Sequence, residues 1–128
     1  MNNKLIPIGA LMCMLAVAFG AFGAHALKGQ LDSYYLEIYK TGVLYHLIHA
    51  LAIVLIGVIA QLLPHDRKVI TSGYLMLAGV VIFSGSLYFL AISGQRWLGA
   101  ITPIGGILFI LAWGLLALTS LKRKEKTP

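Results

Sequence analysis

Four long stretches of this sequence contain no Asp, Glu, Lys or Arg side chain. They cover residues 5–27, 41–65, 69–95 and 97–121. Each stretch exceeds the roughly 20 apolar residues that an α-helix needs to cross the ~30 Å hydrocarbon core of a bilayer. We therefore predict an all-α fold, an integral membrane bundle of four transmembrane helices.

The composition favours a single membrane domain. Hydrophobic residues make up 59% of the chain and charged residues 11%, well below the ~25% charged share of soluble domains. Too few residues remain outside the spans to form a soluble domain. We assign residues 1–128 to one four-span membrane domain, with spans at about 5–27, 43–63, 69–92 and 99–121 and a basic tail at 122–128.

Basic residues are distributed unequally between the two ends of the predicted bundle. Seven lie at the end that holds both termini, and these are Lys4, Arg67, Lys68, Lys122, Arg123, Lys124 and Lys126. Three lie at the other end, and these are Lys28, Lys40 and Arg96. Because Lys and Arg accumulate on the cytoplasmic side, we expect a multi-pass protein of the plasma (inner) membrane with both termini in the cytoplasm. The basic residues flank apolar spans, so the net charge of +6 indicates anionic lipid headgroups at the tail as a partner and not nucleic acid.

The connection between the first two spans carries a helical pattern. Apolar side chains recur with i, i+3, i+4, i+7 and i+8 spacing at Leu31, Tyr34, Tyr35, Ile38 and Tyr39. Tyrosine suits the boundary between hydrocarbon and water, because its ring is apolar and its hydroxyl is polar. The pattern predicts a short amphipathic helix that lies in the headgroup layer between spans one and two.

Small residues recur inside the spans, where they allow helices to approach closely. In span one they lie four residues apart, and spans three and four contain further glycines. The positions are Ala16, Gly20, Ala24, Gly79, Gly85, Gly105 and Gly106. We predict helix packing within the bundle at these residues, and a contact between copies of the chain is the alternative.

Polar side chains within the predicted spans are concentrated toward the end opposite the termini. A polar group inside a bilayer is costly, so each one is a candidate for function. No carboxylate lies in a span, and Pro103 joins the candidates because proline frees a backbone carbonyl. The candidates are His25, Tyr45, His49, Ser84, Ser86, Thr102 and Pro103. We expect one shared cluster in the outer half of the bundle, either a polar network that fixes helix packing or the wall of a small cavity.

The histidines raise the question of a metal or haem site. Such a site needs two or three ring nitrogens that converge, and His25 with His49 could supply two. A histidine that forms a hydrogen bond to a neighbouring hydroxyl or carbonyl is the more common arrangement. The spans offer no acidic ligand, and the sequence has no CxxCH attachment site. We therefore expect no bound metal and no cofactor.

Four motifs occur in order along the chain. They are GAFGAHALK (20–28), Tyr45 with His49 followed by Ala50-Leu51-Ala52, FSGSLY (83–88) and LGAITPIGG (98–106). Together they resemble a family of small four-span membrane proteins of unknown function, the YwdK/YgdD-like family, which has a short relative in animals. The chain departs from the family pattern at Ala112-Trp113, where Gly-Trp is usual, and at His46, where glutamine is frequent. The second departure weakens any metal site that would use His46. The resemblance implies the fold and a membrane location, and it brings no activity.

Three classes of function remain open. A structural or assembly partner for other membrane proteins, including further copies of the chain, needs only packing surfaces, and we rank it first. A small oligomeric transporter or channel is the second class, although no carboxylate is present in the spans for proton coupling. The third class is a cofactor-binding or redox protein that uses His25 and His49. We do not expect an enzyme, because no set of nucleophile, base and acid is present.

Overall fold

Four long helices make up most of the chain. The computed structural model describes residues 3–124. Its helices are α1 (Leu5–Leu27), α2 (Ser33–Leu62), α3 (Arg67–Ser93) and α4 (Thr102–Lys124). All four are long and apolar enough to cross a membrane. The predicted all-α architecture with four spans is confirmed.

Short connections place consecutive helices side by side in antiparallel order. Residues 28–32 join α1 to α2, residues 63–66 join α2 to α3, and residues 94–101 join α3 to α4. Residues 63–66 lie at the same end of the bundle as the start of α1 and the end of α4, which we call the terminal end. The other two connections lie at the opposite end, which we call the distal end.

Two helix boundaries are fixed by local chemistry. The side chain of Asp66 accepts a hydrogen bond from the backbone N–H of Lys68 over 3.0 Å, which satisfies a free amide in the first turn of α3. Gly94 ends α3 with a φ of 72°, in the left-handed region that glycine adopts without strain. A 3₁₀ turn, Arg96–Ala100, then leads into α4.

The predicted interfacial helix is helical but is not a separate element. It forms the first part of α2, which continues without a break for 30 residues. Nothing interrupts the helix where the two parts meet, because the Thr41 hydroxyl donates to the backbone carbonyl of Glu37 over 3.0 Å and Gly42 stays helical. At 1.5 Å per residue α2 is about 45 Å long, which exceeds the ~30 Å hydrocarbon core.

The tyrosine-bearing side of α2 packs partly on the bundle itself. Tyr39 is only 2% exposed and forms a small core with Leu27 and Ala91. Tyr34 stays 57% exposed, and the guanidinium carbon of Arg96 lies 5.7 Å from its ring centroid. The apolar pattern of residues 31–39 therefore closes the distal end of the bundle.

The two central helices, α2 and α3, carry most of the core. α1 packs along α2 and α4 along α3, while α1 and α4 make no extended contact with each other within residues 3–124. In an 18-residue apolar stretch of each span, 44% of the residues of α2 and of α3 are buried. The corresponding shares are 17% for α1 and 22% for α4. Lipid tails are as apolar as leucine, so close packing holds the helices together. The outer two helices turn most of their surface away from the bundle.

Glycines bring α1 and α2 into close contact near the terminal end. A Cβ on Gly9 would lie 2.7 Å from the backbone nitrogen of Val54, and one on Gly57 would lie 2.7 Å from Cγ1 of Ile6. Both distances are too short for a real side chain, so the two backbones meet only because these residues are glycine.

The predicted small-residue stripe of α1 holds only in part. Ala16 is buried and Gly20 is partly buried, but Ala24 is exposed. Residues four apart rotate about 40° per step around a helix with 3.6 residues per turn, so Ala24 has rotated out of the buried contact to its open margin, where it lines a groove between α1 and α2. Residues seven apart rotate only about 20° per step, and the buried side of α1 accordingly follows Gly9, Ala16 and Gly23.

Between α3 and α4 the glycines differ in what they contact. A Cβ on Gly79 would lie 2.5 Å from the Phe109 ring, and one on Gly105 would overlap the backbone of Phe83. A Cβ on Gly106 would be in ordinary contact with the Phe83 ring at 3.9 Å, whereas a Cβ on Gly85 would meet no atom of another helix within 4 Å. The packing prediction therefore does not hold for Gly85, which lies away from the α3–α4 contact.

Candidate functional site

His49 is the best-connected polar side chain in the described part of the bundle. The Nε1–H of Trp113 on α4 donates to Nε2 of His49 over 3.1 Å. Nε2 is therefore an acceptor, so Nδ1 carries the proton and donates to the backbone carbonyl of Tyr45 over 2.8 Å. Both ring nitrogens are thus used in a neutral histidine that is 5% exposed.

Aromatic rings enclose His49. The Phe109 ring stacks on the imidazole with centroids 3.6 Å apart and planes inclined by 12°. The Tyr45 ring lies nearly parallel to the imidazole at 5.8 Å and contacts the Phe83 ring at 4.6 Å. This layer joins α2, α3 and α4, and it holds the imidazole in one orientation.

The structure places His49 near the middle of the length of α2. The predicted second span starts at residue 43, which puts His49 near the outer end of that span. Because α2 starts at Ser33, His49 lies about 24 Å from its first residue at 1.5 Å per residue. Its partner Trp113 is also near the middle of α4. His49 and Trp113 therefore meet near the middle of both helices.

Two serines form separate hydrogen-bonded groups nearer the distal end. The Ser84 hydroxyl donates to the backbone carbonyl of Gly42 on α2 over 2.7 Å. The Ser86 hydroxyl donates to the carbonyl of Phe83 and lies 2.6 Å from the Thr102 hydroxyl on α4. Each group joins two helices, but within the described residues the hydrogen bonds of Ser84, Ser86 and Thr102 do not reach His49. The single cluster expected from the sequence is therefore divided into three groups.

Two predicted members lie outside these groups. His25 and Pro103 are both exposed. Gly23 and Leu27 turn toward α2, and residue 25 lies about half a turn from each, so His25 faces outward. Pro103 lies half a turn from the buried Gly105 and faces outward for the same reason. His25 and His49 do not converge, so the structure does not form the two-histidine ligand set that the sequence allowed.

His46 forms a fourth polar group, with residues that the sequence did not single out as a site. Its Nδ1 forms a 2.9 Å hydrogen bond with the Tyr88 hydroxyl, and the side chain is 3% exposed. Its Nε2 is the one buried side-chain nitrogen or oxygen in the described residues without a hydrogen-bond partner. The Phe19 ring lies 5.0 Å from the Tyr88 ring, and the Phe19 carbonyl accepts a 2.5 Å hydrogen bond from Tyr39.

Sequence reasoning missed Trp113 and Tyr88 as partners of the histidines. A usable signal was present for Trp113, since an indole N–H in the middle of a span needs an acceptor. Residues 3–124 contain no group of three or more His, Cys, Asp or Glu side chains that could hold a metal ion. Four of the six buried polar side chains in the described residues bond to another helix, and these are His46, His49, Ser84 and Ser86. The other two, Ser72 and Thr119, bond to a carbonyl of their own helix. The bonds between helices are suited to fixing how the helices pack.

The chain resembles known membrane proteins over most of its length. A family model described as "Protein of unknown function (DUF423)" matches residues 19–106. UPF0382 membrane protein YwdK of Bacillus subtilis is 45% identical over 117 residues, which are 91% of this chain and 95% of that protein. UPF0382 membrane protein SERP0230 of Staphylococcus epidermidis is 47% identical over 91% of this chain and 94% of its own. No solved structure matches the chain. The chain therefore belongs to the DUF423 family of membrane proteins.

Proposed function

We propose that this protein resides in the plasma membrane with both termini in the cytoplasm and serves as a structural or assembly partner for other membrane proteins. The unequal burial of the helices carries this proposal. The most hydrophobic window of α4 is 22% buried, half the 44% share in α2 and α3. A helix with so small a buried share has a broad side available for a helix of another chain.

The outward side of α4 has the spacing of a helix-packing surface. Exposed residues recur at alternating intervals of four and three, at Ile107, Leu111, Gly114, Leu118 and Leu121, which we call the α4 seam. This interval keeps a contact line on one side of a helix over several turns. A Cβ on Gly114 would have no atom within 4 Å, so a second backbone could approach closely there.

The interior polar groups support the same role. The hydrogen bonds of His49, Ser84 and Ser86 are made to other parts of the bundle, and each group fixes one helix against another. They make the bundle rigid, which lets it present the α4 seam in a fixed orientation. Neither the transporter alternative nor the histidine-cofactor alternative gains a supporting observation from residues 3–124.

Site-specific photo-cross-linking tests this proposal in native membranes. A photoreactive amino acid at Leu111 or Leu118 should give a protein adduct of defined mass. The control is Val81, which is 61% exposed on α3 and lies away from the seam. Adding Gly114→Leu should abolish the adduct, because leucine fills the space for a close backbone approach.

Mass spectrometry of the adduct then separates a second copy of the chain from a different membrane protein. Either result supports an assembly role. Adducts with lipid alone at the seam, or equal protein adducts at Val81, would overturn the proposal.

A further inference from the structure

A second outward-facing feature lies between α1 and α2 near the distal end. A groove of about 250 Å³ is lined mainly by Gly20, Gly23 and Ala24 of α1 and by Val43, Leu44 and Leu47 of α2. A hollow of about 220 Å³ shares Gly23, Ala24 and Lys40 with it and continues to Lys28. We call the two together the α1–α2 groove.

Small residues create the groove. Ala24 is exposed and its methyl group adds little bulk between the helices. Gly20 has no side chain, and a Cβ there would lie 3.4 Å from Cγ1 of Val43, which also lines the groove. From Lys40 to Leu47 the groove follows α2 for about 10 Å, at 1.5 Å per residue. This length is about two-thirds of the hydrocarbon depth of one leaflet, which is half of ~30 Å.

Two lysines lie at the same mouth of this apolar groove. α1 and α2 run antiparallel, so Lys28, just after the end of α1, and Lys40, on α2, both lie at its distal end. Lys40 forms an ion pair with Glu37 over 3.4 Å, with both side chains largely exposed. Such surface pairs are weak, so the Lys40 ammonium is free to turn toward another anion.

We propose that the α1–α2 groove binds an anionic phospholipid, with one acyl chain in the groove and the phosphate between Lys28 and Lys40. A soluble anion would use the lysines and leave the apolar walls unoccupied. A transmembrane helix of a partner would cover the walls and have no use for two cations at the mouth. A phospholipid with a negative headgroup matches both parts, and the site is separate from the α4 seam.

Lipid titrations of the purified full chain in mild detergent test the site, with native mass spectrometry to count bound lipids. The probes are phosphatidylglycerol and phosphatidylcholine with identical acyl chains. We expect phosphatidylglycerol to bind more tightly, and Lys28→Gln or Lys40→Gln to weaken its binding about five-fold each and about thirty-fold together. Glu37→Gln should tighten binding, because it removes the competing carboxylate.

Two controls separate this site from general attraction to the basic surface. Arg96→Gln removes one positive charge from the same end of the bundle without touching the groove, and it should change binding less than two-fold, roughly. Ala24→Leu fills the groove and should weaken both lipids, while glycerol 3-phosphate without acyl chains should not bind. The substituted lysines are exposed, so an unchanged thermal midpoint in phosphatidylcholine will show that the variants fold.

Three results would overturn the assignment. Unchanged phosphatidylglycerol binding in the double lysine variant would show that the two lysines do not contact the headgroup. Equal losses of phosphatidylglycerol affinity for Arg96→Gln and Lys40→Gln would mean that the overall surface charge, and not the groove, attracts the lipid. Full binding by Ala24→Leu would place the acyl chain elsewhere.

Discussion

Hydrogen-bond partners decide what each buried polar residue contributes. In hydrocarbon an unpaired donor or acceptor costs several kcal/mol, so the Trp113–His49 bond favours one rotation of α4 relative to α2. The Ser84–Gly42 bond does the same for α3 and α2. His46 is only half satisfied, because its Nδ1 is paired with Tyr88 and its Nε2 is not.

The Trp113–His49 bond should appear as an energetic coupling between the two residues. We expect His49→Ala and Trp113→Phe to destabilise the bundle by less together than the sum of the single changes, with a coupling of about 0.5–2 kcal/mol. Thermal unfolding of the four proteins in one detergent measures it. As the matched control, His49→Ala and Ser86→Ala should be additive within about 0.5 kcal/mol, because no hydrogen bond joins them. A stronger coupling of His49 to Ser86 than to Trp113 would contradict the separate groups and support the single cluster expected from the sequence.

The half-satisfied His46 makes a second test. Tyr88→Phe removes the hydrogen-bond partner of Nδ1 in a buried imidazole, so it should cost about 1–3 kcal/mol. Adding His46→Leu removes the imidazole nitrogens and should regain most of this loss. Tyr34→Phe, at an exposed tyrosine, should be neutral in the same denaturation assay. A double variant no more stable than Tyr88→Phe alone would mean that packing, not hydrogen bonding, explains the loss.

Close packing between elements depends on where each glycine faces. The π-helical turn Val80–Ser84 brings the Phe83 backbone against Gly105, and α3 and α4 meet there without an intervening side chain. Gly114, nine residues further along α4, has open space around it. The same residue type thus has opposite consequences on the two sides of one helix.

Alanine at these two glycines should separate the two roles. Gly105→Ala should destabilise the bundle by about 1–3 kcal/mol, because its methyl group overlaps the Phe83 backbone. Gly114→Ala should be neutral or stabilising by up to ~1 kcal/mol, since alanine favours a helix and meets nothing inside the bundle. Unfolding midpoints in detergent compare them directly. Equal losses at both positions would mean that the α3–α4 contact is wrongly oriented.

Some of these elements could be predicted from the sequence and others could not. Stretches without charge indicate spans because a bilayer tolerates little else, and all four were found. The start of α2 at Ser33 was missed because the helix continues through Thr41 and Gly42. The length of the apolar stretch alone could not show where the helix begins. The pairing of His49 with Trp113 depends on the rotation of two helices that are not adjacent in sequence, which composition and spacing do not specify.

At the scale of the whole molecule, charge placement sets orientation. Counted along the sequence, seven basic residues flank the spans on the side of the two termini and three on the other side, so we predict cytoplasmic termini. A reporter that is active only in the cytoplasm should be active when fused after Pro128 and inactive when inserted after Lys28. The reverse pattern would place the α1–α2 groove in the cytoplasmic leaflet.

The length of α2 determines how the protein responds to the thickness of its membrane. Its 30 residues are longer than the hydrocarbon core, and we expect the excess to lie at the distal end, where tyrosines occupy two successive turns. A thicker bilayer would have to cover the exposed Glu37 and Lys40 on these turns, whereas a thinner one can recede past the exposed ring of Tyr34 without exposing a fully apolar surface. The terminal end has no such margin, because α2 and α3 are joined there by a four-residue polar connection. A decrease in bilayer thickness should therefore be accommodated at the distal face of the membrane, while the terminal end keeps its position relative to the headgroups.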